Sequence, residues 1–427
     1  MHRIIAAVLA ATTCAAAAHA QNVPTLRAAS AGATFTLEDA LAAAEGSAPA
    51  VTAAQAGIDA AQAGRIAAGL RPNPTIQTQI ENIAGSGPYR GFDQAETTVS
   101  LDLPIELGSK RSARIAVADA QTDRAILGAA ATRADVRLQV TQLYVEAVAA
   151  KWRAFIARDQ LRIAHDASNA ARTRVQAGRA SPIEEQRADV ARLNAQTAAD
   201  RARRLADAAT ANLARRVGTP AIGLIDMTAL DDIPPASYGP PPTVAMAGTL
   251  ALAAADADLA VADAGVRLAR SQRIPDLTAG PGIRRLEATR DTAAVFSVSI
   301  PIPVFNSGRA AIDLAAADRN RADAQRRITA LDLAQAVTDA QADADNAAAA
   351  ARNANGPALV AAQEAARIAR IGYREGKFGQ LDLLDAERTL AETRIAAIDA
   401  LAAYHNAKAR LERLTAPAPA PAPERGD

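Results

Sequence analysis

The chain has 427 residues, a formal net charge of +1 and a single cysteine. Half of its residues are hydrophobic, but most of these are alanine and only 3% of all residues are aromatic. Small side chains let helices pack closely and cannot fill a thick globular core, so this composition predicts long helices packed side by side. The balanced charge gives no electrostatic footprint for nucleic acid.

Residues 1–20 are predicted to be a signal peptide. Arg3 supplies the basic start, an apolar run follows, and Ala18-His19-Ala20 forms a small-x-small cleavage site. Cys14 raises lipoprotein processing as an alternative, but the residues before it match that pattern poorly, so we predict cleavage after Ala20. The mature chain then lacks cysteine and, with it, disulfide and thiol chemistry. Residues 21–34 are predicted to be a flexible leader.

Residues 35–217 are predicted to form a helix, two strands and two further helices. The first helix begins at Phe35 and ends at the prolines of Arg71-Pro72-Asn73-Pro74. The strand-like segments are Thr75–Ile80 and Thr97–Ile105, and the second alternates apolar and polar residues sharply. A helix of about 70 residues then runs from Gly108 to about Ala177, and a shorter helix returns to Gly218.

The same order is predicted again in residues 244–415, after a proline-rich linker at residues 218–243. A helix ends at Ile274, and strands follow near Leu277–Leu286 and over Val298–Val304. A second long helix runs from about Gly308 to Glu375, kinked by Asn355-Gly356-Pro357, and a last helix ends near Leu414. Residues 416–427 are predicted to be a disordered tail rich in proline and alanine.

Each long helix turns into the next at a similar tip. The segment that begins Gly178-Arg179-Ala180-Ser181-Pro182 aligns without a gap with the segment that begins at Gly376. Each glycine suits the left-handed position just past a helix C-terminus. Ser181 is predicted to be an N-cap with Glu184 completing a capping box, and Gly379 to open the other helix. Two such tips predict a duplicated unit.

Strands in a membrane must close into a barrel, because unpaired edges are not tolerated in lipid. No apolar run after the signal peptide approaches the roughly 18 residues of a spanning helix. The smallest barrels have about eight strands, so a chain with four would supply one sector of an oligomer. The alternation predicts which side chains face lipid and which face water. The predicted lipid-facing residues are Val99, Leu101, Leu103, Phe296, Val298, Ile300 and Ile302, and the predicted water-facing ones are Ser100, Asp102, Ser297 and Ser299.

The duplicated helix–strand–strand–helix unit, the paired proline exits from the strands and the tip Tyr-x-x-Gly-x-x-x-x-Leu-Asp-x-Leu-Asp resemble the TolC family of outer-membrane efflux ducts. The resemblance covers about residues 35–415 and implies a mainly α fold with a β-barrel sector. Long helical coiled-coil hairpins and four transmembrane strands per chain would build a trimer with a twelve-stranded barrel and an α-helical periplasmic tunnel. Residues 373–390 resemble the branch serving heavy-metal cation pumps of the cobalt–zinc–cadmium and copper–silver kind.

That resemblance also implies partners and functional residues. The partners are two further copies of the chain, outer-membrane lipid, a periplasmic adaptor (membrane fusion) protein and an inner-membrane pump of the RND type. The implied aperture residues are Asp382 and Asp385 as carboxylate rings, Tyr373 as a tie between inner helices and Glu184 as an acidic partner. Phe378 departs from the pattern, because the best-known members have a gate arginine there. The implied adaptor-contacting residues are Gly178, Arg179, Ser181, Gly376, Lys377 and Gly379.

Simpler interpretations of these residues stay open. Asp382 also suits a first-turn carboxylate favoured by the helix dipole, Asp385 a solvated face, Tyr373 a packing residue and Glu184 a cap. Neither a hydrolytic triad nor a cofactor motif is present, and two separate histidines cannot form a tight transition-metal site in one chain. A passive conduit rather than an enzyme is therefore predicted. The alternatives are a duct for drug or peptide export and a non-conducting periplasmic coiled-coil scaffold.

Overall fold

The computed structural model describes residues 34–235 and 246–420. This part of the chain is mostly helical, with one sheet of four strands. The predicted signal peptide, all but the last residue of the predicted leader, and the end of the predicted tail lie outside the described residues.

The elements follow one another in the predicted order. The helices are α1 (Leu37–Ser47), α2 (Pro49–Ala68), α3 (Lys110–Gln176), α4 (Pro182–Val217), α5 (Leu250–Gln272), α6 (Arg309–Asn353), α7 (Leu359–Arg374) and α8 (Gln380–Leu414). The strands are β1 (Thr75–Glu81), β2 (Glu96–Ile105), β3 (Leu277–Leu286) and β4 (Thr292–Ser299). None of the described helices is both long enough and apolar enough to cross a membrane.

The long helices confirm the sequence prediction. Helix α3 has 67 residues and is therefore about 100 Å long. The kink predicted between α6 and α7 is also present, because Ala354–Ala358 forms a single π turn in which Gly356 leaves helical geometry at φ −105° and ψ −108°. Pro357 cannot donate a backbone hydrogen bond, and this interrupts the ladder at that point.

Three sequence predictions are wrong in detail. The first helix is broken at Ala48, which takes an extended conformation before Pro49, as the residue before a proline commonly does. Strand β4 ends at Ser299 instead of reaching Val304, since Pro301 and Pro303 lack the N–H that a ladder needs. The tail is not free at its start, because Ala416 and Ala418 are hydrogen-bonded to the backbone beside Thr249.

The sheet is antiparallel in the order β1-β2-β3-β4, and its register sorts side chains into two faces. Leu101 pairs with Ile76, and Val99 with Ile283, so these apolar side chains share one face. On β4, Phe296 and Val298 pair with that same face of β3. The predicted separation of these residues from Ser100, Asp102, Ser297 and Ser299 is confirmed. Ile300 and Ile302 lie beyond the end of β4 and belong to neither face.

All four strands join their neighbouring helices at the same end of the sheet, and charged residues brace this junction. Arg114 of α3 pairs with Glu106 and donates to the carbonyl oxygens of Ala68 at 3.2 Å and Leu70 at 3.1 Å, so it also caps the end of α2. Lys110 pairs with Asp276 at 2.7 Å. The sheet is thereby tied to α2 and α3.

Replacing Glu106 with glutamine should remove part of the acid dependence of stability. The hydrogen bond from Arg114 holds the pKa of Glu106 below its ordinary value of 4.5. A depressed folded-state pKa stabilises the fold above the unfolded value, and this contribution is lost as the pH falls through the folded-state pKa. We expect Glu106→Gln to lower the free energy of unfolding by about 1 kcal/mol at neutral pH, and this difference should shrink below pH 4.5 and vanish only once the pH is below the depressed pKa of Glu106 in the folded state. Thermal melts from pH 7 downward check this, with Asp318→Asn, from an exposed pair on α6, as control.

The main core lies midway along the long helices. Buried side chains of α1, α3, α4 and α8 meet there, joined by Ile225 and Leu230 from the segment after α4. Tyr144 donates to the Phe35 carbonyl at 3.0 Å, and Trp152 donates to the Met227 carbonyl at 2.9 Å. This core therefore fixes the bundle at its middle and leaves the two tips at the end away from the sheet.

Candidate functional site

The second tip is a tight helix ending of the Schellman type. Gly376 has φ +70°, its N–H donates to the Tyr373 carbonyl at 3.1 Å, and Lys377 N–H donates to the Gly372 carbonyl at 2.8 Å. These two bonds satisfy carbonyl groups that the last turn of α7 would otherwise leave unpaired. Glycine is needed at position 376 because a side chain is strained at that φ.

The first tip has the same geometry. Gly178 has φ +67°, its N–H donates to the Val175 carbonyl at 3.0 Å, and Arg179 N–H donates to the Arg174 carbonyl at 2.8 Å. The predicted left-handed glycines are thus confirmed at both tips. Each tip presents a basic residue directly after its glycine, Arg179 in the first and Lys377 in the second.

The two helices that leave the tips begin differently. Ser181 is the N-cap residue of α4, but its side chain makes no capping bond, because Glu184 N–H donates to the Ser181 carbonyl at 2.9 Å. The predicted capping box at Ser181 and Glu184 is therefore wrong. At α8 the Asp382 carboxylate accepts from Gly379 N–H at 2.9 Å. This is the first-turn role that the simpler interpretation gives to Asp382.

Tyr373 connects the ends of α7 and α3. Arg174, in the last turn of α3, donates to the Tyr373 hydroxyl at 3.3 Å, and its guanidinium lies 5.7 Å from the centre of the ring. Both a hydrogen bond and a cation–π contact therefore join the two helices. The hydrogen bond raises the pKa of Arg174, and the nearby negative charge of Glu184 adds to the effect.

The carboxylates of the implied aperture are accessible. Asp382 and Asp385 are both exposed and lie about one turn apart on the same side of α8. Asp385 contacts Arg388 at 3.5 Å, and the Asp385 side chain is 73% exposed. Glu184 is partly buried on α4 near Arg174.

Phe378 packs on its own tip. A methyl group added at Gly372 would lie 2.2 Å from the Phe378 ring, so this glycine makes room for the ring. Phe378 N–H also donates to the Gly372 carbonyl at 3.2 Å. The residue in the position of the implied gate arginine therefore packs its ring on Gly372 at the end of α7.

Several ion pairs near the tips were not predicted from the sequence. Arg370 of α7 holds both carboxylate oxygens of Glu387 of α8, and the Glu387 side chain is only 3% exposed. Arg172 of α3 pairs with Glu185 of α4 at 3.2 Å. The sequence did contain a signal for these pairs. In each pair the two opposite charges lie at similar distances before and after a tip, and a hairpin brings such positions together.

A further ion pair joins the two hairpins. Arg394 of α8 lies 3.3 Å from Asp159 of α3, and Gln160 donates to the Glu387 carbonyl at 3.4 Å. Together with Arg174 and Tyr373, these contacts hold α8 and α7 against α3. Within residues 34–235 and 246–420, no group of three or more histidine, cysteine, aspartate or glutamate side chains is arranged to hold a metal ion.

The sequence of this chain matches a known protein family over most of its length. The family described as "Outer membrane efflux protein" matches residues 40–219 and 242–416. The chain belongs to the outer membrane efflux protein family. Its location is accordingly the outer membrane.

Individual relatives agree with this family. The "Cobalt-zinc-cadmium resistance protein CzcC" of Cupriavidus metallidurans is 30% identical over 384 residues, which cover 89% of this chain and 90% of that protein. The "Nickel and cobalt resistance protein CnrC" of the same organism is 32% identical over 65% of this chain and 67% of that protein. The resemblance to the heavy-metal branch is thereby confirmed.

Solved structures show the same fold. The channel CusC superposes with a TM-score of 0.72 at 16% identity, covering 90% of this chain and 92% of that chain. The matched family and these relatives are efflux and resistance proteins, not enzymes.

Proposed function

We propose that this outer membrane efflux protein is one third of a trimeric duct that passively exports heavy-metal cations. In this proposal an RND-type pump and a periplasmic adaptor deliver the cations to the end of the tunnel that carries the tips. The observation that carries the proposal is a sheet with one apolar face and two edges that have no partner strand within the described residues. The two-fold repeat of helix, strands and helices is part of the same proposal.

The sheet supports an oligomeric barrel. Strands β1 and β4 have no further strand beside them in the described chain, and open edges are not tolerated in lipid. The apolar face carries exposed Leu101, Phe296 and Ile76. Three copies pairing β1 of one with β4 of the next would close twelve strands, with this face towards lipid.

The substrate class rests on the relatives, which are named for resistance to cobalt, zinc, cadmium and nickel. Export of drugs or peptides would use the same duct and is the second possibility. A non-conducting scaffold would instead leave the apolar face of the sheet in water, which is unfavourable for so much exposed apolar surface.

The aperture would lie at the tips. Three copies would place Asp382 and Asp385 around one axis, giving a ring that attracts divalent cations and admits cations preferentially. Tyr373, together with Glu184 and Arg174, would hold α7 against α3 in each protomer and so help to tie the helices at the aperture shut. The tip loops with Gly178, Arg179, Ser181, Gly376, Lys377 and Gly379 would be the surface that the adaptor grips.

Removing the ring carboxylates is expected to change conduction and block. In planar bilayers the double variant Asp382→Asn, Asp385→Asn should show higher conductance and weaker block by trivalent hexammine cobalt, because the multivalent cation loses its counter-charges. Asp399→Asn, further along α8, serves as control, because that carboxylate is paired with Arg153 at 2.8 Å. Unchanged block in a double variant that still forms trimers would leave Asp382 with its helix-start role alone.

Removing the Tyr373 hydroxyl is expected to destabilise the closed state of the aperture. Tyr373→Phe keeps the ring beneath Arg174 and deletes the acceptor of the 3.3 Å hydrogen bond. The closed state should lose about 1 kcal/mol, which means a severalfold rise in the open fraction. Single-channel recordings give this fraction directly, and an unaltered open fraction would show that the hydroxyl does not hold the closed state.

The experiment that tests the proposed function combines assembly with transport. The protein should fractionate with the outer membrane as a heat-modifiable trimer, and its deletion should raise cellular accumulation of cobalt, zinc or cadmium. A monomer in the periplasmic fraction would favour the scaffold. A trimer whose deletion raises drug but not metal accumulation would favour the second kind of duct.

A further inference from the structure

One charged residue stands on the apolar face of the sheet. Arg285 pairs with Thr97 and Thr292, and Thr97 pairs with Ile80, so these four side chains form the last row of that face. Every other strand residue that the register places on this face is uncharged. The Arg285 side chain is 49% exposed.

The height of Arg285 on the sheet matches a membrane boundary. The helices join the strands at the end where Leu277 lies, so Arg285 is near the opposite end, which faces the cell exterior if the helices are periplasmic. From Leu277 to Arg285 the strand is about 26 Å long at about 3.3 Å per residue. The lipid-facing band of a barrel is about 25 Å tall, and a strand of this length tilted by about 40° rises about 20 Å of it. In the proposed barrel, Arg285 would therefore lie in the outer part of that band, close to its boundary.

The surroundings of Arg285 also suit this boundary. Phe92 is 71% exposed and Tyr89 is 50% exposed in the connection between β1 and β2. This connection is tied to the turn after β3, because Glu287 N–H donates to the Ala95 carbonyl at 3.0 Å. Aromatic side chains at this level are typical of the girdles that mark the edge of a barrel's lipid-facing band.

The neighbouring arginine has a different environment. Arg284 lies on the polar face, where it pairs with Glu96 at 2.9 Å and donates to Thr98 at 2.9 Å. Arg285 contacts Glu287 at 3.2 Å through Nε. Its two terminal nitrogens belong to the planar guanidinium group, whose donors can bind a phosphate group in a bidentate contact.

We propose that Arg285 binds the phosphate headgroup of an outer-leaflet lipid, while the nearby aromatic side chains rest in the interface. This inference rests on the proposed barrel, because only then does the apolar face meet lipid. The bound lipid would fix the vertical position of the duct in the membrane. The ligand is a membrane-embedded phosphate and not a free anion.

Lipid retention by the full-length trimer tests the inference. The protein is reconstituted with equal amounts of bisphosphorylated lipid A and its dephosphorylated form, extracted in mild detergent, and the retained lipids are measured by native mass spectrometry. The wild-type trimer should retain the phosphorylated form about fivefold over the other. Arg285→Gln should bring the ratio close to one, and Arg285→Lys should keep most of the preference. Arg321→Gln, which removes an exposed arginine of α6, should match the wild type.

Each failure has a distinct meaning. Absence of a wild-type trimer counts against the proposed barrel and with it this site. A wild-type trimer with a ratio of one overturns the lipid site alone, whatever the variants do. An unchanged ratio in Arg285→Gln also overturns it, as does loss of the preference in excess inorganic phosphate, because the site would then recognise a free anion.

Discussion

Lysine in place of Leu101 is expected to weaken assembly of the barrel by about 2–4 kcal/mol, the cost of a charged side chain near the middle of the lipid-facing band. Leu101 is 41% exposed in the single chain and pairs with Ile76 on the apolar face. This face has no covering element in the described protomer, so lipid is the environment that a lysine there would enter. The yield of heat-modifiable trimer in the outer membrane measures the effect.

The neighbouring position supplies the control. Ser100 lies on the polar face, where its hydroxyl donates to Asp102 at 3.2 Å. Lysine at Ser100 would extend into the water-filled interior of the barrel and should be tolerated. Equal yields for the two variants would mean that the apolar face does not meet lipid, and the proposed barrel would be wrong.

The faces of the sheet were predictable because they depend on local alternation. In β2, residues Val99 to Ile105 change side at every step, and the observed register places them as the pattern required. The end of β4 was not predicted correctly, because the alternation of Ile300 and Ile302 continues through two prolines. Hydrophobic pattern and hydrogen-bonding capacity disagree there, and the missing N–H groups decide the outcome.

The backbone conformation of the tips was predictable from the sequence, but most of their side-chain contacts were not. Gly178 and Gly376 are required by a left-handed φ, which a sequence indicates directly. The capping box at Ser181 failed although its spacing was right, since the backbone carbonyl took the N–H of Glu184. The contact of Arg174 with Tyr373 depends on how the two hairpins lie against each other, and no local pattern contains that information.

The pair of Arg370 with the buried Glu387 was not predicted from the sequence. Glu387 is followed by apolar residues at Leu390 and Ala391, so its carboxylate turns into the small core between α7 and α8. A carboxylate that is 3% exposed must be paired, and Arg370 supplies two hydrogen bonds to it. A pattern of hydrophobic residues alone predicts the helix but not which charge enters the core.

Replacing Arg370 with alanine is expected to destabilise the α7–α8 hairpin by about 2–3 kcal/mol. Loss of one partner of a fully buried pair costs about 3–5 kcal/mol, and the 46% exposure of the Arg370 side chain lets water offset part of that. Arg367→Ala, one turn earlier on α7, removes an exposed pair with Glu364 and should cost well under 1 kcal/mol. Thermal melts followed by circular dichroism give both values.

A second variant separates the ion pair from simple loss of side-chain packing. In the double variant Arg370→Met, Glu387→Met the buried charge is gone and two apolar side chains fill the site, so stability should return most of the way to that of the wild type.

The destabilisation in Arg370→Ala should also affect the aperture, because α7 and α8 carry Tyr373 and Asp382 on opposite sides of the tip. A weakened hairpin should let the tip move more freely, raising the open fraction in Arg370→Ala and not in Arg367→Ala. If Arg370→Ala and Arg367→Ala melt at the same temperature, the bidentate pair contributes no more than a surface contact. The position of the tip must then depend on the Arg174–Tyr373 contact and the main core.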